Sequence, residues 1–158
     1  VVAGGTSAGK TISILQILID YAQSTEGELV SVVSESFPHL RRGSMRDFLN
    51  IMQAQGYFKD ELWSKTDFTY TFETGSKIEF FSADQPGKVR GPRRDVLFVN
   101  EANNIPYEAF DQLRIRTRKT IWLDYNPTSE YWYYTEIAPN YDHDFITLTY
   151  LDNEALDP

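Results

Sequence analysis

The residues Gly4-Gly5-Thr6-Ser7-Ala8-Gly9-Lys10-Thr11 satisfy the pattern G-x-x-x-x-G-K-[ST] without a mismatch. The chemistry of such a stretch is anion capture. Glycines at 4, 5 and 9 let the backbone curl so that several N–H groups point inward at the positive end of a helix. Lys10 then reaches the β and γ phosphates of a nucleoside triphosphate, and the Thr11 hydroxyl can ligate Mg²⁺. The flanks agree: apolar Val1-Val2-Ala3 leads in, and Ile12, Leu15, Ile17, Leu18, Tyr21 and Ala22 follow with helical spacing. Strand, loop, Lys-Thr and helix stand in the order a triphosphate site requires.

Two further groups belong at strand ends, where parallel α/β sheets place their ligand chemistry. Asn100-Glu101 follows the apolar run Val96-Leu97-Phe98-Val99, the place of a Walker B segment. Glu101 fits a carboxylate that orients or deprotonates the attacking water; a helix N-terminal carboxylate is its alternative role. The position before it usually carries an Asp facing Mg²⁺. Here it is Asn100, an amide that can accept a hydrogen bond from a Mg²⁺-bound water but supplies no charge. Asn126, in Tyr125-Asn126-Pro127, fits a reporter of the γ-phosphate or equally a plain Asn-Pro turn. Arg90 sits in Gly87-Lys88-Val89-Arg90-Gly91 and suits either an arginine inserted beside the γ-phosphate or a surface charge. Asp142, Asp144, Asp152, Glu154 and Asp157 crowd the end of the chain without the partner set of a two-metal nuclease centre.

The elements that must position these groups alternate. A first helix runs to about Ala22, then Leu29–Ser34 reads as a buried strand. A helix is expected from about Arg42 to Gln55, closed by Gly56, followed by a short turn at 60–64. Phe68–Phe72 and Lys77–Phe81, joined by Glu73-Thr74-Gly75-Ser76, form a hairpin. Residues 84–94 read as a polar loop. Strands are expected at 95–99, 120–124 and about 145–150, with helices at 107–116 and 130–137. The fold class expected is α/β: a P-loop NTPase of the ASCE/RecA-like kind, its mostly parallel sheet flanked by helices and carrying an antiparallel hairpin insertion.

A chain of 158 residues suits one such domain. It has no cysteine, so disulfides and thiolate metal sites are excluded, and His39 and His143 are isolated. No apolar run is long enough to span a membrane. The formal charge of −8, from 15 basic against 23 acidic side chains, argues against a surface that coats nucleic acid. Local basic clusters remain: Arg41, Arg42 and Arg46; Lys88, Arg90, Arg93 and Arg94; Arg114, Arg116, Arg118 and Lys119. The three-residue lead-in strand and the polar end at 152–158 read as those of a piece of a longer protein.

The ordered series of motifs resembles the ATPase domain of the large terminase subunit of tailed double-stranded DNA bacteriophages. Its pieces are the phosphate loop at 4–11, Glu35 to Ser44 after the second strand, Gly75 to Phe80 in the hairpin, Gly87 to Gly91, Asn100-Glu101-Ala102, Asn126-Pro127 and Asp152-Asn153. The resemblance implies an ATP- and Mg²⁺-dependent motor over residues 1–158. It would package viral double-stranded DNA into a procapsid in the host cytoplasm, at the portal vertex. Its implied partners are the portal protein, the small terminase subunit and further copies in a ring, typically a pentamer, with no membrane. Lys10 and Thr11 would hold phosphate and metal, Glu101 would activate water, Arg90 would match an arginine finger reaching a neighbouring subunit, and Asn126 would fall in the coupling motif. A C-terminal nuclease domain would lie beyond Pro158. The rival readings are a RecA-like helicase or other DNA translocase, and a non-catalytic nucleotide-binding assembly module. No Asn-Lys-x-Asp guanine motif occurs.

Overall fold

The computed structural model describes residues 2–4, 9–125, 131–139 and 146–148. Its order is β1 (Val2–Gly4), α1 (Gly9–Ser24), β2 (Leu29–Ser34), α2 (Phe37–Arg42), α3 (Ser44–Ala54), β3 (Trp63–Ser64), β4 (Thr69–Thr71) and β5 (Lys77–Ser82). Then come α4 (Pro86–Val89), β6 (Arg94–Val99), α5 (Tyr107–Arg114), β7 (Thr117–Tyr125) and β8 (Ile146–Leu148). Short 3₁₀ turns lie at 60–62 and 102–104, and a π-helical turn at Tyr133–Ile137.

Among the described residues the strands form one eight-stranded sheet in the order β3-β4-β5-β2-β6-β7-β1-β8. Every pairing from β5 to β8 is parallel, and only the β3-β4-β5 edge is antiparallel. The order has one consequence for chemistry: β7 lies between β1, which leads into the phosphate loop, and β6, which leads into Asn100-Glu101. This is the additional-strand arrangement of the P-loop fold.

Strands buried on both faces need near-continuous apolar runs, and β2 and β6 have them. Alternation then sorts side chains between two layers. Val30, Val32, Phe80, Val96 and Phe98 face one side, where Ile14, Leu15, Leu18, Ile19 and Ala22 of α1 and Met45, Phe48, Ile51 and Met52 of α3 cover them. Val33, Phe81, Leu97, Val99 and Leu123 face the other, under Phe110 and Leu113 of α5 and Trp132, Tyr133 and Ile137. The Trp132 ring stacks on Phe110 at 4.3 Å between centroids, and its indole N–H donates to the Ile105 carbonyl at 2.6 Å.

Three expectations needed revision. The helix expected from about 42 to 55 is α3, and a second helix that was not expected, α2, precedes it and meets it at Gly43. The Gly43 N–H still donates to the His39 carbonyl at 2.9 Å, but its φ of −108° and ψ of −105° turn the chain. A Cβ there would sit 2.9 Å from that same carbonyl, which only glycine avoids. Within the segment 84–94, expected as a loop, Pro86–Val89 forms the single turn α4, whose Val89 is buried against the second layer.

Arg94 is the third. Read with Lys88, Arg90 and Arg93 as a basic cluster, it is only 2% exposed. Its Nε donates to Ser31 Oγ at 2.9 Å, its Nη1 to the Leu113 carbonyl at 3.0 Å, and its guanidinium lies 5.9 Å from the Phe81 ring centroid. Burial lowers its pKa, while the Glu79 charge opposes that shift. Arg94 therefore ties β6 to β2 and α5 rather than facing a ligand. Arg94→Ala is expected to cost about 2–3 kcal/mol in chemical denaturation, since it orphans buried acceptors, while exposed Arg93→Ala should change little.

Candidate active site

The parallel register decides which side chains meet. Val2 pairs with Asp124 and Ala3 with Tyr125, so β1 ends beside the end of β7. Val99 pairs with Leu123, which brings Asn100 level with Asp124. Gly4 closes β1 and Gly9 opens α1, so Lys10 and Thr11 occupy the first turn of that helix, above these same strand ends.

Four side chains converge there. Thr11 Oγ1 donates to Asp124 Oδ2 at 2.8 Å. Asn100 Nδ2 lies 3.1 and 3.0 Å from the two Asp124 oxygens and 3.2 Å from Thr11 Oγ1. Lys10 Nζ donates to the Tyr125 carbonyl at 2.9 Å. The Glu101 backbone N–H donates to Asp124 Oδ1 at 2.5 Å. Asp124, wholly buried, is thus the hub, taking hydrogen bonds from Thr11, Asn100 and the Glu101 backbone.

The electrostatics follow from burial. Desolvation pushes the Lys10 pKa down, and the charges of Asp124 and Glu101 oppose it. Desolvation pushes Asp124 up, against the Glu101 N–H, the Thr11 hydroxyl, Lys10 and Asn100. A cation delivered to this point would offset the cost of a buried carboxylate.

Glu101 sits in a left-handed conformation, φ 52° and ψ 55°, just past the end of β6. A non-glycine residue there is held against a modest conformational cost. The bond from its N–H to Asp124 helps hold it, and the side chain is exposed beside the cluster. Arg90, also exposed, follows α4, whose Val89 anchors the turn. Gly5 to Ala8 of the phosphate loop and Asn126 lie outside the described residues, as do the late carboxylates and His143. His39 makes local contacts, to Ser36 at 2.7 Å and Glu35 at 2.9 Å.

Asn100 differs from expectation in one respect. Its amide nitrogen is directed at Asp124 and Thr11, and its Oδ1 is 3.4 Å from Ser34 Oγ. It acts here as a donor within the cluster. Asp124 itself escaped sequence reasoning, although a signal exists: Ile121-Trp122-Leu123 ending in Asp124 repeats the apolar-run-then-polar pattern that singled out Asn100.

The donor set suits Mg²⁺. Thr11 and Asp124 offer hard oxygens, and Mg²⁺ needs only one or two protein carboxylates when phosphates complete its shell. Among the described residues no group of three or more His, Cys, Asp or Glu side chains stands ready to hold a metal alone. The cation would be shared with a nucleotide. No helix of the described residues is long and apolar enough to cross a membrane.

No curated protein sequence matches the chain. Solved structures do. The large terminase of a thermophilic bacteriophage superposes with a TM-score of 0.79 at 19% identity, covering 99% of this chain and 41% of that one. The same protein in complex with ATP-γ-S gives 0.78 at 20% identity, with coverage of 99% and 41%. The large terminase ATPase domain of a Thermus phage gives 0.64 at 15% identity, covering 94% of this chain and 74% of that one. The chain thus spans about two fifths of the length of the first of these proteins. At these identities the likeness establishes the fold. The family rests on the sequence itself: residues 1–158 match the model of the phage terminase large subunit family from end to end, and the chain belongs to that family.

Proposed function

We propose that this chain is the ATP-hydrolysing motor domain of a DNA-packaging terminase. One observation carries the reading: Lys10 and Thr11, at the start of α1, share a single cluster with the Asn100-Glu101 strand end, across an intervening β7. A helix start suited to phosphate, beside a strand end that bears a carboxylate, suits hydrolysis of a terminal phosphate. Family membership supplies the context, and the complexes of the thermophilic-phage terminase with ADP and ATP-γ-S favour adenine nucleotides.

In this reading the loop 4–11 cradles the phosphates, Lys10 neutralises the β and γ oxygens, and Thr11 is the residue that would hold Mg²⁺. Asn100 would act on that cation one step removed, through its hydrogen bonds to Thr11 and Asp124. Mg²⁺ bound there would supply neutralisation of the phosphate charge. Glu101 takes the proton of the attacking water, and Asn126, just past β7, couples the γ-phosphate to movement. Arg90 reaches the nucleotide of a neighbouring copy, a role its exposure suits. The ring so formed, a pentamer by family precedent, would sit with the small terminase subunit on the portal vertex in the host cytoplasm. There it would drive double-stranded DNA inward, with a nuclease domain beyond this segment.

The test is ATP turnover per chain against protein concentration. A ring motor with a finger in trans gives a per-chain rate that climbs with concentration, and mixing Arg90→Ala with Glu101→Gln restores part of the lost rate. A flat per-chain rate places catalysis within one chain and removes Arg90 from it. Nucleotide binding without turnover at any concentration leaves a non-catalytic assembly module.

A further inference from the structure

We infer that Asp124, on β7, supplies the carboxylate charge for the nucleotide-bound divalent cation, in place of the Walker B position occupied by Asn100. The inference rests on the proposed nucleotide site and goes beyond it by moving the metal-facing charge to a neighbouring strand.

Three observations carry it. Asp124 Oδ2 and Asn100 Nδ2 both lie against Thr11 Oγ1, at 2.8 and 3.2 Å, so the carboxylate stands at the hydroxyl that would ligate the metal. Asn100 donates to both Asp124 oxygens, the geometry of an amide orienting a carboxylate. The register accounts for the exchange: Asn100 and Asp124 are level on adjacent parallel strands, so either strand end can present a carboxylate to the same point. With Asn100 neutral, Asp124 is the fully buried acid of the cluster. A carboxylate without solvent contact is costly to keep charged, and a cation beside it would offset that cost.

The competing explanation is purely structural: Asp124 holds the left-handed Glu101 by accepting its N–H. The two roles separate on the metal. A structural Asp124 has no effect on how strongly Mg²⁺ strengthens nucleotide binding, whereas a charge-supplying one sets it. Asp124→Asn keeps the size of the side chain and an oxygen for the Glu101 N–H, and Asn100 can turn its own amide to match.

The experiment is binding of a fluorescent ATP analogue to the full chain, in excess Mg²⁺ and in EDTA, with thermal melting as the folding control. The ratio of the two affinities is the readout, and turnover plays no part. In Asp124→Asn this ratio should collapse by about 10- to 100-fold, while affinity in EDTA changes little. The exchanged pair Asn100→Asp with Asp124→Asn should regain most of the ratio, because one carboxylate again faces the metal. An unchanged ratio in Asp124→Asn overturns the inference and leaves the nucleotide site intact. If Asp124→Asn does not fold, the exchanged pair decides: a ratio like that of the unaltered chain supports the inference, and its loss overturns it. Failure of the unaltered chain to bind nucleotide in either buffer removes the underlying reading and this inference with it.

Discussion

Exchanging Glu101 for glutamine is expected to slow ATP turnover by about 10²- to 10⁴-fold while leaving nucleotide affinity nearly unchanged. In barrier terms that is about 3–5 kcal/mol, the scale of losing a positioned base. The substitution isolates the proton-accepting role because everything else at the position survives. Glutamine has the same length, so the reach of the proposed base is kept. The N–H that donates to Asp124 belongs to the backbone and is untouched. The left-handed conformation suits glutamine no worse than glutamate, and the side chain is exposed, so no buried group loses a partner. Lys10→Ala should behave differently. In the proposed site it would remove a cation from the phosphates in ground and transition states alike, so affinity and turnover should fall together. Single-turnover kinetics with a separate binding titration distinguish the two. A Glu101→Gln chain that retains a third or more of the rate would assign water activation to another group.

How much of this site could be read without coordinates depended on how local each signal was. The phosphate loop is contiguous, so its spacing alone announced Lys10 and Thr11. Asn100-Glu101 was singled out because a run of four apolar residues ended in a polar pair, and the parallel sheet brings that end beside Thr11 at the start of α1. Asp124 needed more. Its importance comes from register among three strands far apart in sequence, and no spacing rule within one segment encodes that. Lys10's acceptor, the Tyr125 carbonyl, carries no side-chain signature at all. Arg94 failed for a different reason. Adjacent arginines at 93 and 94 look alike as a charge run, but Arg94 opens β6 and is buried there against Ser31 and Leu113, whereas Arg93 precedes the strand and is exposed. The helix α2 was missed because proline breaks most helices, whereas Pro38 stands in the first turn of this one, where its absent N–H costs nothing.

Phe48→Ala is expected to cost about 3–5 kcal/mol of folding stability, the range for truncating a buried aromatic side chain. Phe48 is fully buried on α3, and its ring lies 5.1 Å from that of Phe80, 6.0 Å from Tyr70 and 6.3 Å from Trp63. Those three come from β5, β4 and β3, so one side chain joins the helix to all three strands of the antiparallel edge. Removing it takes away apolar transfer energy and leaves a cavity that neighbouring rings cannot readily fill, because Tyr70 is fixed by its hydroxyl, 3.1 Å from the Tyr57 carbonyl. Melting should fall by about 10 °C for a domain of this size. Phe48→Leu, which retains most of the apolar volume, should cost about 1 kcal/mol. Ile17→Ala on α1, 47% exposed, should stay within about 0.5 kcal/mol of the unaltered chain. Below its melting point the Phe48→Ala chain should still bind nucleotide, because Lys10, Thr11 and Asp124 are set by β1, α1 and β7 rather than by the hairpin edge. A loss under about 1 kcal/mol would mean that α3 and the antiparallel edge are not one cooperative layer with the parallel sheet. A loss of nucleotide binding at temperatures where the chain remains folded would mean that the edge reaches the site through α1, which packs beside α3 in the same layer.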